Sequence, residues 1–541
     1  MQHGCDRIHL TCWNKGVPFP ACPRAKRFLT AVAALVVTST ATACGVITPD
    51  PPSTPSPTPT SASPTPSPTP EPPTLEEHAP GLGPEVEDFE VDATGKGKPV
   101  TVSVGKNTKA TWRSTNVGLS FEASDLADPR WEPGESSLDL LIGSLDEPSL
   151  RFGGNSVDRR VWWTSTGEKA PSWAKATVTP KDLERVGRFL DEVDATVTLV
   201  LPLGHVDPDR AADLAAHARK AWGERLIAVA FGNEPNGYHH PNQPELQLRD
   251  AGYGPSDWVG EARRVQKAVE KETPGLGVMG PGAYDAQWWR AFGDADLPGT
   301  VAMTQHWYPL WSCPDRKSGG DRRFAPTVEN MTSTAVHQKA SATFTKAKKV
   351  ASSYDLPLFV DETGPTSCPG TNETSRTLAQ GLWAVDYTFN GARHGVQRMN
   401  MHSALQPCKG GPPMSVICDR ERSQPSEDLK GRSNYLALLF AAQVPEGTMK
   451  QVKVTGSSKV FAYAVDHEDG TDLVVVNMDK PGRPRPLDLN GLGDGTIQGS
   501  LLTGEDLGSR SVDMTPLSPA TEMPDVIDGG SALLIRVTAG R

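Results

Sequence analysis

Two acidic residues stand where apolar runs give way to turns, and that setting suggests chemistry. The stretch VAFGNEPNGY, Val229 to Tyr238, leads through Gly232 to Asn233, Glu234 and Pro235. Pro235 and Gly237 stop the run, which leaves Glu234 at its C-terminal end. The stretch LPLFVDETG, Leu356 to Gly364, places Glu362 in the same relation to a second apolar run. Two carboxylates brought to one face from different strands are the apparatus for cleaving a glycosidic bond. One donates a proton to the leaving oxygen, and the other attacks the anomeric carbon or activates water. Asn233 would then donate a hydrogen bond to a sugar hydroxyl, and Pro235 would hold the turn that aims Glu234. The competing reading is loop chemistry, since Asn and Pro are common in turns.

The elements that carry these residues repeat along the chain. Strand-like runs start at Val117, Ser149, Ala195, Ile227, Leu276, Val301, Leu356 and Val396. Helical stretches such as TPKDLERVGRFLDEVD and DPDRAADLAAHARKAW separate most of them. Eight such runs predict an α/β fold, a (β/α)8 TIM barrel. Their continuous Val/Leu/Ala character fits parallel strands buried on both faces. A doubly wound sheet is the alternative, but the first strand–helix turn has no glycine-rich dinucleotide fingerprint. In a barrel, catalytic groups project from the C-terminal ends of the strands, where Glu234 (run four) and Glu362 (run seven) stand. From about residue 445, short alternating segments such as VFAYAVDH and TDLVVVNMD replace the helices, predicting an appended antiparallel β-sandwich. KPVTVSVG, Lys98 to Gly105, shares that alternation. The expected organisation is an export segment (1–43), a linker (44–85), a strand contributed to the sandwich (86–112), the barrel (113–444) and the sandwich (445–541).

Asn233-Glu234-Pro235 after run four and Glu362 after run seven resemble the clan A glycoside hydrolases, which are retaining enzymes. Within that clan, RFGGNSVD (Arg151 to Asp158) and GLSFEASDLADP (Gly118 to Pro129) resemble glycoside hydrolase family 79, the β-glucuronidases and heparanases. The resemblance implies that Glu234 is the acid/base and Glu362 the nucleophile. It implies that Glu122, Asn155 and Asp158 line the sugar site. His306 and Tyr308, in QHWYP, match the clan's His-x-Tyr pattern, in which the tyrosine steadies the nucleophile. The partner implied is a carbohydrate, a β-glycoside and by family a glucuronide. The loop HSALQPCKGGPPMSVICDR departs from the family at the place where it grips the sugar carboxylate. Another clan A activity, a β-xylosidase or β-glucosidase, or a non-catalytic glycan-binding protein, therefore stays open. Trp162, Trp163, Trp288, Trp289, Trp307 and Trp311 lie near strand ends and are candidate sugar platforms, Trp307 and Trp311 first. For Arg151 and Gly153-Gly154 the competing reading is structural: a buried network and a tight turn. A pair of carboxylates sharing one site also predicts a bell-shaped pH profile with an optimum of roughly pH 4.5 to 6.5.

The bulk numbers narrow the partners. The 541 residues carry a formal net charge of −11. Nucleic acid and anionic membranes call for a basic face, so neither is expected as a main partner. Near the N-terminus Arg24, Lys26 and Arg27 precede the apolar run FLTAVAALVV and then TSTATACG. This is the pattern of a secretory signal, too short to span a membrane. Ala41 to Gly45 resembles a bacterial lipobox, with Ala41 where Leu is usual, and implies lipidation of Cys44. Cys5, Cys12 and Cys22 precede the basic segment, and a misassigned start codon is expected. The Pro/Ser/Thr alternation from Thr48 to Thr74 suits a polyproline stalk of about 80 Å. The expected location is extracellular, on the outer face of the cytoplasmic membrane, with the lipid as the only membrane contact. Cys313, Cys368, Cys408 and Cys418 remain, and three pairings are open to them. Loops after neighbouring strands favour Cys313–Cys368 and Cys408–Cys418. Cys-x2-Cys spacing is absent, and neither metal nor organic cofactor is expected.

Overall fold

The computed structural model describes residues 74–84, 97–240, 246–314, 320–420, 427–493, 495–520 and 522–539. The export segment, Cys44 and the stalk lie outside them. Residues 75–84 correct the expected extent of the linker. Leu75–His78 forms a helical turn, Ala79 is fully buried, and Leu82 bridges to Met514. Three apolar residues at that spacing bind the segment to the folded body.

Eight parallel strands close into a barrel. In order they are Gly118–Glu122, Ser149–Gly153, Thr196–Leu201, Leu226–Phe231, Val278–Ala283, Thr300–Trp307, Leu358–Thr363 and Val396–His402. We number them one to eight. Strand three shows why the runs are continuously apolar: Val197, Leu199, Val200 and Leu201 are all fully buried. Their side chains alternate between the lumen and the helices, so both faces must be apolar. Most of the longer helices begin on a local signal. Thr179, for example, exchanges hydrogen bonds with Asp182 in a capping box, and Pro180 opens the helix Pro180–Glu192. Helix Leu378–Arg393 is buried almost all round because it lies between the barrel and the second sheet.

That second sheet has nine strands and is mostly antiparallel. Tyr463, Val465, Val474, Val476 and Leu534 on one face join the core of the barrel. Ala462, Ala464, Leu473, Val475, Leu533 and Ile535 on the other face are equally buried, among Val100, Val102, Leu487 and Ile527. The second group comes from strands at the opposite end of the sheet, so the sheet folds over itself as a sandwich. Strand Val100–Trp112 belongs to it, pairing antiparallel with Gly447–Thr455 and parallel with Arg485–Asn490. Cys313–Cys368 and Cys408–Cys418 are both bonded. The first ties the loops after strands six and seven, where Leu310 also bridges to Thr366.

Candidate active site

Strand four ends at Phe231, and the chain then turns sharply. Gly232 takes φ +72°, and a Cβ there would lie 2.0 Å from the Tyr238 hydroxyl. Glu234 itself is left-handed, with φ +47° and ψ +60°. For a residue with a side chain this costs on the order of 1 kcal/mol or more, and such strain gathers at functional sites. The turn Pro235–Gly237 holds it, with the Gly237 amide donating to the Glu234 carbonyl at 2.8 Å. The Glu234 carboxylate remains partly open to solvent, and its Oε1 meets His306 Nδ1 at 3.0 Å.

Strand seven reaches the same mouth by a different device. Val360 pairs with Gln305, but Glu362 pairs with His306, so Asp361 is an extra residue in the ladder. Such a bulge turns two successive side chains towards one side. Asp361 Oδ1 lies 3.2 Å from His306 Nε2, and its Oδ2 lies 3.4 Å from Arg151 Nε. Glu362 Oε2 accepts from Arg151 Nη1 at 2.8 Å, and Oε1 accepts from the Tyr308 hydroxyl at 2.7 Å. Arg151 also donates to Ser120 Oγ and to Asn233 Oδ1, both at 2.8 Å. Donor and acceptor atoms of Glu234, His306 and Glu362 all lie within 4.8 Å of one another.

These contacts separate the two carboxylates electrically. Burial works against charge on Glu362, but His306, Arg151 and His402, with the Tyr308 bond, hold its pKa down at about 2. Burial likewise opposes charge on His306, yet Asp361 and the bond to Glu234 raise its pKa to about 10. Both ring nitrogens face carboxylates, Nδ1 meeting Glu234 at 3.0 Å and Nε2 lying 3.2 Å from Asp361. Asn233 gives its carbonyl oxygen to Arg151, which leaves its buried Nδ2 as a donor without a protein acceptor.

Glu122, at the end of strand one, accepts from the Ser156 amide at 2.8 Å and lies 3.8 Å from His402 Nε2. Burial resists its charge, but His402 and Ser156 lower its pKa. Gly154 explains the glycine pair: its φ is +67°, and a Cβ would fall 2.5 Å from the Glu122 carboxylate. Asn155 is exposed beside it and accepts from Arg159 at 3.1 Å. Two expectations need correction. Asp158 is fully buried and lines no sugar site with its carboxylate. It accepts from the amides of Leu203, Gly204 and Asn233 and from the Tyr238 hydroxyl, which fills its four lone-pair positions. It positions the Asn233-Glu234 turn instead. Trp307 is only 8% exposed and stacks on Tyr387 of helix Leu378–Arg393, so it packs strand to helix. Trp163, Trp288 and Trp289 are buried too, whereas Trp162 keeps partial and Trp311 clear exposure.

Sequence reasoning passed over Asp361 and His402. The strand-end position of His402 was a usable signal. For Asp361 strand alternation argues the wrong way.

No family model and no curated protein matches the chain. Among solved structures it is similar to a 4-O-α-L-rhamnosyl-β-D-glucuronidase from Fusarium oxysporum 12S, at 19% identity and a TM-score of 0.62, covering 81% of this chain and 100% of that one. A GH51 arabinofuranosidase from Xanthomonas axonopodis pv. citri gives 14% and 0.59, covering 82% and 100%. A GH family 44 endoglucanase from Clostridium thermocellum gives 12% and 0.52, covering 81% and 100%. What the chain shares with them at these identities is its fold.

Proposed function

We propose that this protein is a retaining β-glycoside hydrolase, with Glu362 as nucleophile and Glu234 as acid/base. The observation that carries the reading is the approach of the two carboxylates: an oxygen of each lies within 4.8 Å of the other. Retaining enzymes hold their carboxyl groups about 5–5.5 Å apart, and inverting enzymes hold them about 6.5–9.5 Å apart to admit water. The asymmetry of their surroundings supports these roles. Glu362 is kept ionised by buried cations and attacks the anomeric carbon, while the Glu234 proton passes to the leaving oxygen. Water then gives a proton to Glu234 and its oxygen to the anomeric carbon, and the bond to Glu362 breaks. Arg151 and Tyr308 fix the Glu362 carboxylate, and Asn233 Nδ2 is free to donate to a sugar hydroxyl beside it.

For the sugar we favour a glucuronide, as in family 79. Support comes from the segments RFGGNSVD and GLSFEASDLADP, and from a fold neighbour whose own substrate name is a β-D-glucuronide. The test is a hydrolysis screen across aryl β-glucuronide, β-xyloside, β-glucoside and β-galactoside, with the first-formed anomer followed by NMR. Hydrolysis of the glucuronide to the β-anomer is expected. First release of the α-anomer would sink the retaining assignment. Preference for a neutral sugar would sink the glucuronide, and no turnover of any would favour a binding protein.

A further inference from the structure

Behind the two glutamates stands a third buried acid, Asp361. Its Oδ1 lies 3.2 Å from His306 Nε2, and its Oδ2 lies 3.4 Å from Arg151 Nε. Each of those basic groups runs on to one glutamate. His306 Nδ1 meets Glu234 Oε1 at 3.0 Å, and Arg151 Nη1 donates to Glu362 Oε2 at 2.8 Å. One carboxylate thus serves two basic groups, an oxygen to each, and each basic group serves one end of the reaction. Asp361, His306 and Arg151 are almost completely buried. The bulge in strand seven makes the arrangement possible, because a regular ladder would turn Asp361 away from Glu362.

The surroundings leave Asp361 to these two partners. Among the described residues no hydrogen bond reaches either of its oxygens. Tyr308 and His402 act on Glu362, and Ser120 and Asn233 accept from Arg151. Gly282, at the end of strand five, presses on the imidazole: a Cβ there would fall 3.1 Å from Nε2. Asp361 is enclosed and touches no substrate, so its influence passes through His306 and Arg151.

The reaction moves one negative charge between the two ends. In the first step a Glu362 oxygen bonds to the anomeric carbon, the bond to the leaving oxygen breaks, and that oxygen takes the Glu234 proton. Glu362 is then a neutral ester and Glu234 a carboxylate. The negative charge has left the Arg151 end and reached the His306 end, and hydrolysis of the ester sends it back. With His306 charged and Asp361 ionised, the buried cluster is neutral overall both before and after the step. A charge that moves through a buried site is far less costly where fixed countercharges already stand. Burial opposes charge on His306, and Asp361 is the foremost group that keeps its proton on.

We propose that Asp361 is a positioning residue that keeps His306 charged against Glu234 and Arg151 set against Glu362, so that a cation stands at both places the negative charge visits. This rests on the hydrolase reading above.

The test follows kcat/KM against pH in wild type, Asp361→Asn, His306→Gln and the double variant, with the aryl β-glycoside that wild type hydrolyses fastest in the screen above. Asp361→Asn keeps the shape and removes the charge. His306 then loses its proton near neutrality, and Glu234 loses the cation that favours its ionised form. The alkaline fall in activity is expected to move up by about one pH unit or more, with kcat/KM about ten-fold lower at the wild-type optimum. In the His306→Gln background the same substitution is expected to leave the alkaline fall in place. A uniform loss with an unmoved alkaline fall, or an equal shift in both backgrounds, overturns the proposal. Nitrogen NMR of the imidazoles, with His306 assigned from His306→Gln, reads the same coupling without turnover. At about pH 8, between the ordinary histidine value and the one raised to about 10, wild-type His306 is expected to carry both ring protons and Asp361→Asn mostly one. A neutral ring in wild type, or an unchanged ring in the variant, overturns the proposal. Should Asp361→Asn fail to fold, the wild-type ring decides. Should wild type hydrolyse none of the glycosides, the hydrolase reading falls, and the NMR comparison alone decides whether Asp361 holds His306 charged.

Discussion

Two buried networks in this molecule use the same ingredients and end differently. In the sandwich, Asp472 is fully buried and accepts from His467 Nε2 at 3.0 Å and from Arg536 Nε and Nη2 at 2.9 and 2.7 Å. None of the buried polar atoms of these three residues lacks a partner. At the barrel mouth, Arg151, His306, Asp361 and Glu362 are just as deeply buried. There Asn233 Nδ2, His402 Nδ1 and both Asp361 oxygens have no hydrogen bond from the protein, and Asp361 relies on ion pairs at 3.2 and 3.4 Å. A closed network ties strands together. An open one is built to be completed by something that arrives, and each unmade bond is a cost the fold carries for that purpose.

The largest expected effects lie on the carboxylates of the open network. Glu362→Gly should lower turnover by roughly ten-thousand-fold or more, even with good leaving groups, because no bond to the anomeric carbon can form. Azide added to that variant should yield an α-glycosyl azide. Glu234→Ala should fall by roughly a hundred- to ten-thousand-fold on poor leaving groups and be rescued by azide as the β-glycosyl azide. NMR of the two products reads the result, and the same anomer from both would reverse or remove the roles assigned.

Next in size is a direct contrast between the networks. Arg151→Met takes the guanidinium from Asp361 and Glu362 and leaves them only His306 and Tyr308 as partners, with about 3 kcal/mol of lost stability expected. It should also raise the pKa of Glu362 from about 2, moving the acidic fall in activity to higher pH. Asp472→Asn should cost about 1–3 kcal/mol of stability and leave kcat per folded molecule unchanged. Denaturant melts and pH profiles on both variants measure this. A change in the pH profile of Asp472→Asn would erase the distinction.

The smallest effect is a slope. His306 has its folded pKa raised to about 10, above an unfolded value near 6.5. Its contribution to stability is complete below pH 6.5 and is lost as pH rises from there to 10. His306→Gln should flatten the stability curve across that window, and chemical denaturation at pH 6, 8 and 10 would reveal it. A wild-type curve already flat between those values would show that His306 is not held as a cation.

What the sequence made legible follows from what side-chain pattern can encode. Apolar runs and their breakers mark all eight barrel strands, and a residue at a strand end is automatically at the mouth, as Glu234, Tyr308 and Glu362 are. Pattern does not encode an irregular ladder. Strand alternation would turn Asp361 away from its neighbour Glu362, and the bulge that turns both inward is a backbone event. Nor does it say how many bonds a polar residue has already made. Asp158 stands in a segment shared with a sugar-binding family, yet four protein donors occupy it. Trp307 fails as a platform for a related reason. Alternation places it behind His306, on the helix side.

The strand Val100–Trp112 has a consequence for how this chain is made. Its antiparallel partner is Gly447–Thr455, with Trp112 opposite Gly447 and Thr101 opposite Thr455. Everything needed for the barrel is therefore translated between two halves of one ladder. At ~5–20 residues per second the early strand waits on the order of tens of seconds before its partner exists. For that interval it is an unpaired edge, and unpaired edges invite the wrong neighbour. Its middle reads Lys106, Asn107, Thr108, Lys109, and Lys106, Asn107 and Lys109 stay exposed even in the finished sheet. Two lysines and two small polar residues at the centre of an otherwise Val-rich strand make it a poor template for aggregation. An element sealed late is thus among the first to be synthesised, and its own side chains guard it in the meantime.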